Sequence, residues 1–375
     1  MYKVLLCIVV VLQLNGVCAL HKVSIRLRSL PAYHNKDESV FIAGSFNGWH
    51  PGIKDYQFGK DSSGIHLIQL DLPKGRHEFK LTRGSWEKGE RDGNSLGSNR
   101  SIEITGDTSI YISVMHWADH FPKEPRKSTA SKNVKIIETA FYIPQLNRYR
   151  RLWIYLPNSY ATSGKKYPVL YLNDGQNVFE DTTSFTGEWG IDEALDTLEN
   201  GAGEMIVVAV DHGGDKRINE YAPFNMERYG KGEGDAYINF LVKTLRPYIN
   251  KNYRTKTQAK HNYTAGSSTG GLISFYALLK YPRSWGGAGV FSPAFWIAPQ
   301  LKGVVARKAK KVKGRIYFFA GQQESKTMVP DMLSVFTELN KHSKAKMALV
   351  IRAEGKHNEA TWRKEFPAFY QWLAK

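Results

Sequence analysis

The chain is 375 residues long, carries a formal net charge of +17, and is 42% hydrophobic and 23% charged. This composition excludes a disordered or fibrous chain and leaves a globular protein of two or three domains. The charge is read as a solvated basic surface, since no nucleic-acid reading module accompanies it, and nucleic acid is not expected as a partner.

Lys3 precedes an apolar run from Val4 to Leu14, and Val17-Cys18-Ala19 then supplies short side chains ahead of Leu20. This is the layout of a cleavable signal peptide over residues 1–19. The run is too short to cross a hydrocarbon core of about 30 Å. A secreted or periplasmic location without stable membrane insertion is therefore expected. Both cysteines, Cys7 and Cys18, fall in this segment, so the remaining chain offers no disulfide, no thiol nucleophile and no cysteine metal site.

Residues 20–122 alternate apolar and polar positions in short runs, as in Val23-Ser24-Ile25-Arg26-Leu27, separated by turn-forming stretches such as Lys60-Asp61-Ser62-Ser63-Gly64. That pattern predicts a small all-β, immunoglobulin-like sandwich. The run Val40-Phe41-Ile42-Ala43-Gly44-Ser45-Phe46-Asn47-Gly48-Trp49 and the later Phe79-Lys80-Leu81-Thr82-Arg83-Gly84-Ser85-Trp86 resemble the two halves of the glycogen- and starch-binding module signature. The resemblance implies Trp49 and Trp86 as candidate glycan-binding residues, since an indole face matches the apolar face of a sugar ring. The alternative is that Trp49 fills the core of a module that only packs. His116 and His120 stand four apart, but at the end of a strand such residues do not converge. No third ligand is evident, and no metal is expected.

Residues 123–133 mix Pro125 with basic and small polar residues and are expected to link the two parts. From 134 to 375 the pattern changes. Apolar strand-like runs cover 136–142, 151–156, 169–172, 206–210, 263–265, 288–291, 316–320 and 348–351. Helical periodicity covers 235–249, 272–279, 332–339 and 361–373. Two leading strands followed by strands alternating with helices predict an α/β fold, a mostly parallel eight-stranded sheet of the α/β-hydrolase type. The densest basic run, Arg307, Lys308, Lys310, Lys311 and Lys313, is expected as an exposed approach to the strand at 316–320.

The chemistry concentrates in Gly266-Ser267-Ser268-Thr269-Gly270. A Gly-x-Ser-x-Gly sequence between a strand and a helix is the sharp turn that presents a serine nucleophile. Only Ser268 is two residues from each glycine. Serine needs a base, and in this fold the chain order is Ser, then Asp or Glu, then His. Two histidines follow Ser268. His342 sits at a polar helix end, whereas His357 lies in the loop before the last helix and is the candidate base. The acid should follow the strand at 316–320, which points to Glu324. Asp331 is the alternative and is expected instead to cap the next helix. Backbone N–H groups of Thr269, at the helix start, and Gln176, after the third strand, are the candidate oxyanion donors. No cofactor is required.

Five segments, Leu170-Tyr171-Leu172-Asn173-Asp174-Gly175-Gln176-Asn177, Gly187-Glu188-Trp189-Gly190, Arg217-Ile218-Asn219-Glu220-Tyr221-Ala222-Pro223, Ala265-Gly266-Ser267-Ser268-Thr269-Gly270-Gly271 and His357-Asn358-Glu359-Ala360-Thr361-Trp362, together resemble the enterochelin-esterase-like esterase family. The resemblance covers nearly all of 134–375 and implies Ser268, Glu324 and His357 as a catalytic triad. Thr269 departs from the methionine more usual there, which leaves the backbone N–H in place. Arg217 and Glu220 are expected to pair with each other above the site. Asn262-Tyr263-Thr264 is a formal glycosylation sequon, discounted because it enters a central strand. The family includes siderophore ester hydrolases and esterases that deacylate plant polysaccharides. The expected function is therefore an exported serine esterase acting on acetyl or feruloyl esters of carbohydrate. The alternatives are a siderophore esterase, an acyltransferase, or a glycan-binding protein on an inactive hydrolase scaffold.

Overall fold

The computed structural model describes residues 19–91, 99–121, 127–184, 187–198 and 203–374. Residues 1–18 of the expected signal peptide and 123–126 of the expected linker lie outside the described residues. The chain divides into two compact units, Met1–Pro125 and Arg126–Lys375.

In the first unit, Leu20–Ser29 pairs antiparallel with His66–Pro73 and parallel with Thr108–Ser113, and Gly59–Lys60 completes a four-stranded sheet. Phe41–Gly44, Gly75–Thr82 and Arg100–Ile104 form a three-stranded sheet. The period-two pattern turns Val23, Ile25 and Leu27 to one side, where they share a core with Ile42, Phe79, Leu81 and Trp117.

The second unit is built on one eight-stranded sheet. Its strands are numbered here in chain order: β1 Val134–Ile143, β2 Arg148–Tyr155, β3 Val169–Asn173, β4 Ile206–Val210, β5 Asn262–Ser267, β6 Gly287–Phe291, β7 Arg315–Gly321 and β8 Lys346–Arg352. The spatial order is β1-β2-β4-β3-β5-β6-β7-β8; β2 is antiparallel to β1 and β4, and all later neighbours are parallel. Successive residues of β3 enter different cores. Leu170 and Leu172 pack with Trp189, Ile191, Trp362 and Phe366, whereas Val169 and Tyr171 pack with Ile238, Leu245, Phe275 and Leu278. A strand covered on both faces has no solvent side, which is why 169–172 reads as an unbroken apolar run.

The helices are α1 Ile191–Leu198, α2 Arg217–Tyr221, α3 Gly234–Phe240, α4 Arg246–Asn252, α5 Thr269–Lys280, α6 Leu301–Lys308, α7 Met328–Asn340 and α8 Glu359–Ala374. The single helix expected over 235–249 is two helices joined by a π turn at Leu241–Leu245. Pro247 lies just inside α4 and lacks an N–H donor, so the ladder widens immediately before it. The basic run is not merely an approach to β7. Arg307 and Lys308 close α6, and Lys310 and Lys311 lie in the 3-10 turn that follows.

Candidate active site

Ser268 stands at the turn from β5, near the middle of the sheet, into α5. Its backbone has φ 57 and ψ −123, a region that costs a non-glycine residue about 1–3 kcal/mol. Three backbone bonds hold it there. The Ser268 N–H donates to Phe291 O at 2.9 Å, and Ser268 O accepts from Leu272 N at 3.1 Å and Ala294 N at 3.0 Å. The glycines are sterically required, because a Cβ on Gly266 would stand 2.9 Å from the Gly270 carbonyl carbon and one on Gly271 2.8 Å from Phe291 O. Ser267 is buried at 6% exposure, while Ser268 is partly open.

Glu324 and His357 come together at the same edge of the sheet, on the loops after β7 and before α8. His357 Nδ1 lies 2.7 Å from Glu324 Oε2; the carboxylate side chain is 1% exposed and the imidazole 38%. A carboxylate only accepts, so Nδ1 carries the proton and Nε2 of the neutral ring keeps its lone pair. The other carboxylate oxygen accepts from Gly321 N at 2.5 Å and from Ser292 Oγ at 2.7 Å. Ser292 Oγ in turn accepts from Trp362 Nε1 at 2.9 Å, and the Trp362 ring meets the imidazole edge-on at 5.1 Å. Ser292 and Trp362 hold the pair but carried no assignment from sequence. Trp362 sits in one of the family-like segments, whereas Ser292 follows β6 without a motif.

The loop after β3 is fixed from several sides. Asp174 takes a left-handed conformation, φ 60, and starts the short helix Gly175–Asn177. The Asn173 amide donates to Ala265 O, Gly270 O and Ser274 Oγ, and its oxygen accepts from Tyr237 OH at 2.8 Å. This one side chain therefore ties the end of β3 to the Ser268 turn. Gln176 Oε1 accepts from His212 N at 3.0 Å, and the His212 imidazole is held below its ordinary pKa by burial. Gln176 and Thr269 each lie in the first turn of a helix, where backbone N–H groups have no partner within the helix. Asn177 Nδ2 reaches Glu359 Oε1 at 3.2 Å, connecting this loop to the residue two beyond His357.

Arg217 and Glu220 do not pair. Arg217 forms a fork with Asp174, Nε to Oδ1 at 2.6 Å and Nη2 to Oδ2 at 2.8 Å. Burial pushes the Asp174 carboxyl up, but Arg217 outweighs it and holds the group below its usual range. Glu220 binds Arg148 at 2.7 Å and also Arg150. Both carboxylates are buried, at 6% and 0% exposure, so each requires its own cation. Asp331 is also displaced from its expected place: Thr327 precedes α7, and Asp331 lies within its first turn. His342 is exposed beyond the end of that helix. Asn262 is fully buried, its amide donating to Lys256 O and Gln258 O.

In the first unit Trp49 and Trp86 are both half-buried and stand together, ring centres 6.3 Å apart. His120 stacks on Tyr33 at 3.5 Å, and His116 meets Phe121 edge-on at 5.2 Å. Among the described residues no group of three or more His, Cys, Asp or Glu is arranged to hold a metal. None of their helices is long and apolar enough to cross a membrane.

The family model described as "Putative esterase" matches residues 143–373, more than half of the chain. The chain belongs to this esterase family. The esterase is 24% identical over 240 residues to the uncharacterized protein YbbA of Bacillus subtilis, covering 60% of this chain and 92% of that one. It is 26% identical over 255 residues to an endo-1,4-beta-xylanase/feruloyl esterase of Xylanibacter ruminicola, covering 67% of this chain but only 32% of that protein. The enterobactin esterase FES of Shigella flexneri superposes with a TM-score of 0.53 at 15% identity, covering 94% of this esterase and 92% of that chain. At that identity the likeness is one of fold, and it agrees with an α/β-hydrolase. The family makes the esterase a carboxylic ester hydrolase.

Proposed function

We propose that the esterase is an exported serine hydrolase that removes acetyl or feruloyl groups from carbohydrate, with Ser268, His357 and Glu324 as its triad. The observation that carries the mechanism is the 2.7 Å bond between His357 Nδ1 and the buried Glu324 carboxylate. It lies at the sheet edge that presents the strained Ser268. Nε2 takes the Ser268 proton as Oγ forms a bond to the ester carbonyl carbon. The oxyanion is met by the N–H groups of Thr269 and Gln176. The C–O bond to the alcohol then breaks, and His357 returns the proton to the departing oxygen. Water repeats the sequence on the acyl-serine, releasing the acid and restoring Ser268.

The carbohydrate reading is supported by the xylanase/feruloyl esterase relative and by the paired, half-exposed indoles of Trp49 and Trp86. In this reading the first unit is an immunoglobulin-like sandwich that binds glycan. Export follows from the signal-like residues 1–19.

The test is a panel of acetylated and feruloylated xylo-oligosaccharides and a siderophore trilactone, with products identified by mass. The first two should be cleaved, and Ser268→Ala should lower the rate by about 10³-fold or more with the protein still folded. Cleavage of the lactone alone would replace the carbohydrate reading with the siderophore one. Undiminished turnover in Ser268→Ala would remove the proposed nucleophile.

A further inference from the structure

The parallel strands have a second end, and there the sheet carries a cavity of about 530 Å³. It is lined where β3, β5 and β7 begin, by Lys165, Lys166, Lys256, Lys260, His261 and Arg315. Ser268 follows the last residue of β5, whereas Lys260 and His261 immediately precede the first. The six residues of that strand, at about 3.3 Å each, separate cavity and serine by roughly 20 Å.

The charge in this cavity is one-sided. Among the described residues Glu204 is the single carboxylate lining it, and it lies 3.4 Å from Lys165 Nζ. Lys166, Lys256 and Lys260 have no carboxylate partner among the described residues. The Arg315 guanidinium is held in place, stacked on Trp372 at 4.7 Å with Nη2 donating to Trp372 O at 2.7 Å, yet its Nε is buried without a partner among the described residues. The imidazole of His261 responds to this field: burial first, then Lys256 and Lys260, hold it below its ordinary pKa. Like charges gathered in a concave, partly desolvated place raise the free energy of the empty protein, and an anion bound there lowers it.

We propose that this cavity binds an acidic oligosaccharide, a segment of glycan chain bearing carboxylate or sulfate groups. A cavity of about 530 Å³ has the size of a ligand pocket rather than of a single-ion site. Its two tyrosines, Tyr167 and Tyr263, are 2% and 7% exposed, so neither offers a phenol face on which a nucleobase could stack. The choice of a glycan rests on the carbohydrate reading above; the cation cluster does not. The site anchors a charged backbone while Ser268 works on another part of the same polymer, which raises the local concentration of ester.

The experiment is calorimetric titration of the intact chain with deacylated oligogalacturonate, a heparin oligosaccharide, a neutral xylo-oligosaccharide and a single-stranded oligonucleotide. None carries a carboxylic ester, so binding is read separately from hydrolysis. At least one acidic glycan should bind, more weakly as salt rises, and the neutral one should not; their ranking tells carboxylate from sulfate. Lys256→Glu with Lys260→Glu should weaken binding about tenfold or more by removing two charge-assisted contacts. Lys310→Glu with Lys311→Glu makes the same charge change in the exposed basic run, outside the cavity lining, and should weaken binding less than the cavity pair, since charges facing solvent are screened by salt. If the glutamate pair fails to fold, by melting or by its rate on an aryl acetate, Lys256→Gln with Lys260→Gln takes its place. No binding of either acidic glycan, equal loss in both charge-reversed pairs, or tighter binding of the oligonucleotide than of either glycan would each overturn the proposal.

Discussion

Glu324 is 1% exposed at its side chain and accepts three hydrogen bonds, from His357, Ser292 and the Gly321 N–H. One carboxylate oxygen is thus occupied by the scaffold, which leaves the other directed at the imidazole. Removing the Ser292 hydroxyl takes away a donor to the carboxylate and also orphans the buried Trp362 N–H, which costs more than the bond itself. Ser292→Ala is therefore expected to lower kcat on a simple aryl ester by about 10- to 100-fold with KM nearly unchanged, since a misoriented base affects the reaction more than ground-state binding. Ser292→Cys, which keeps a weak S–H donor without a β-branch that φ 42 would strain, should recover part of the loss. A matching rise in KM, or no recovery, would show that the serine shapes the pocket rather than the base. Chain order alone points to His357 and to the loop holding Glu324 as the proposed base and acid, and the two side chains lie 2.7 Å apart in the structure. Ser292 is invisible to that reasoning, since its bond to Glu324 spans 32 residues of sequence and follows from the fold rather than from a motif.

At the scale of elements, the long apolar segments declare themselves. The eight strands and α5, α7 and α8 stand close to their expected positions because each buries a continuous face. The short helices α1, α2 and α6, of eight, five and eight residues, do not, because too few turns are present for a 3.6-residue period to emerge from polar neighbours. The start of α1 also carries a consequence for pH. Burial, and then the charge of Glu193, push the Glu188 carboxyl up to about 7; burial raises Asp192 to about 7 as well, against the Ser131 N–H bond that lowers it. Both groups hold protons in the folded chain that the unfolded chain, with ordinary values of 4.5 and 3.8, has already released. Their contribution is fully present below about pH 4 and is lost as pH rises through about 7. Glu188→Gln, which cannot ionise, should gain stability relative to the natural chain between pH 5 and pH 8, by an amount on the order of 1 kcal/mol. Urea unfolding at the two pH values measures it, and an unchanged difference would mean that the carboxylate is already charged at pH 5.

For the whole molecule, the described part of the segment expected as a linker belongs to the second unit. Ser128 Oγ donates to Glu180 Oε2 at 2.5 Å, Asp181 N donates to Thr129 Oγ1 at 2.9 Å, and Ser131 N donates to the fully buried Asp192 at 2.6 Å. Composition alone marks such polar, small residues as a connector. It does not show that buried carboxylates elsewhere need them as donors. A fragment of residues 127–375 should therefore fold and hydrolyse an aryl acetate, whereas one of 134–375 should melt lower. Loss of the three bonds predicts a deficit of about 2–4 kcal/mol, counting the orphaned Asp192. Equal melting temperatures for the two fragments would count against it.

The loops that carry Glu324 and His357 touch backbone to backbone. A Cβ on Gly321 would fall 2.2 Å from Gly355 O, and Gln323 N donates to that same oxygen at 2.9 Å. Glu324 and His357 are thus carried on a single welded bracket between the ends of β7 and β8, while Ser268 is mounted separately on β5. Motion of the sheet is therefore expected to change the carboxylate–imidazole spacing less than the spacing between imidazole and serine, and in the proposed mechanism that second clearance is the one an arriving ester must close.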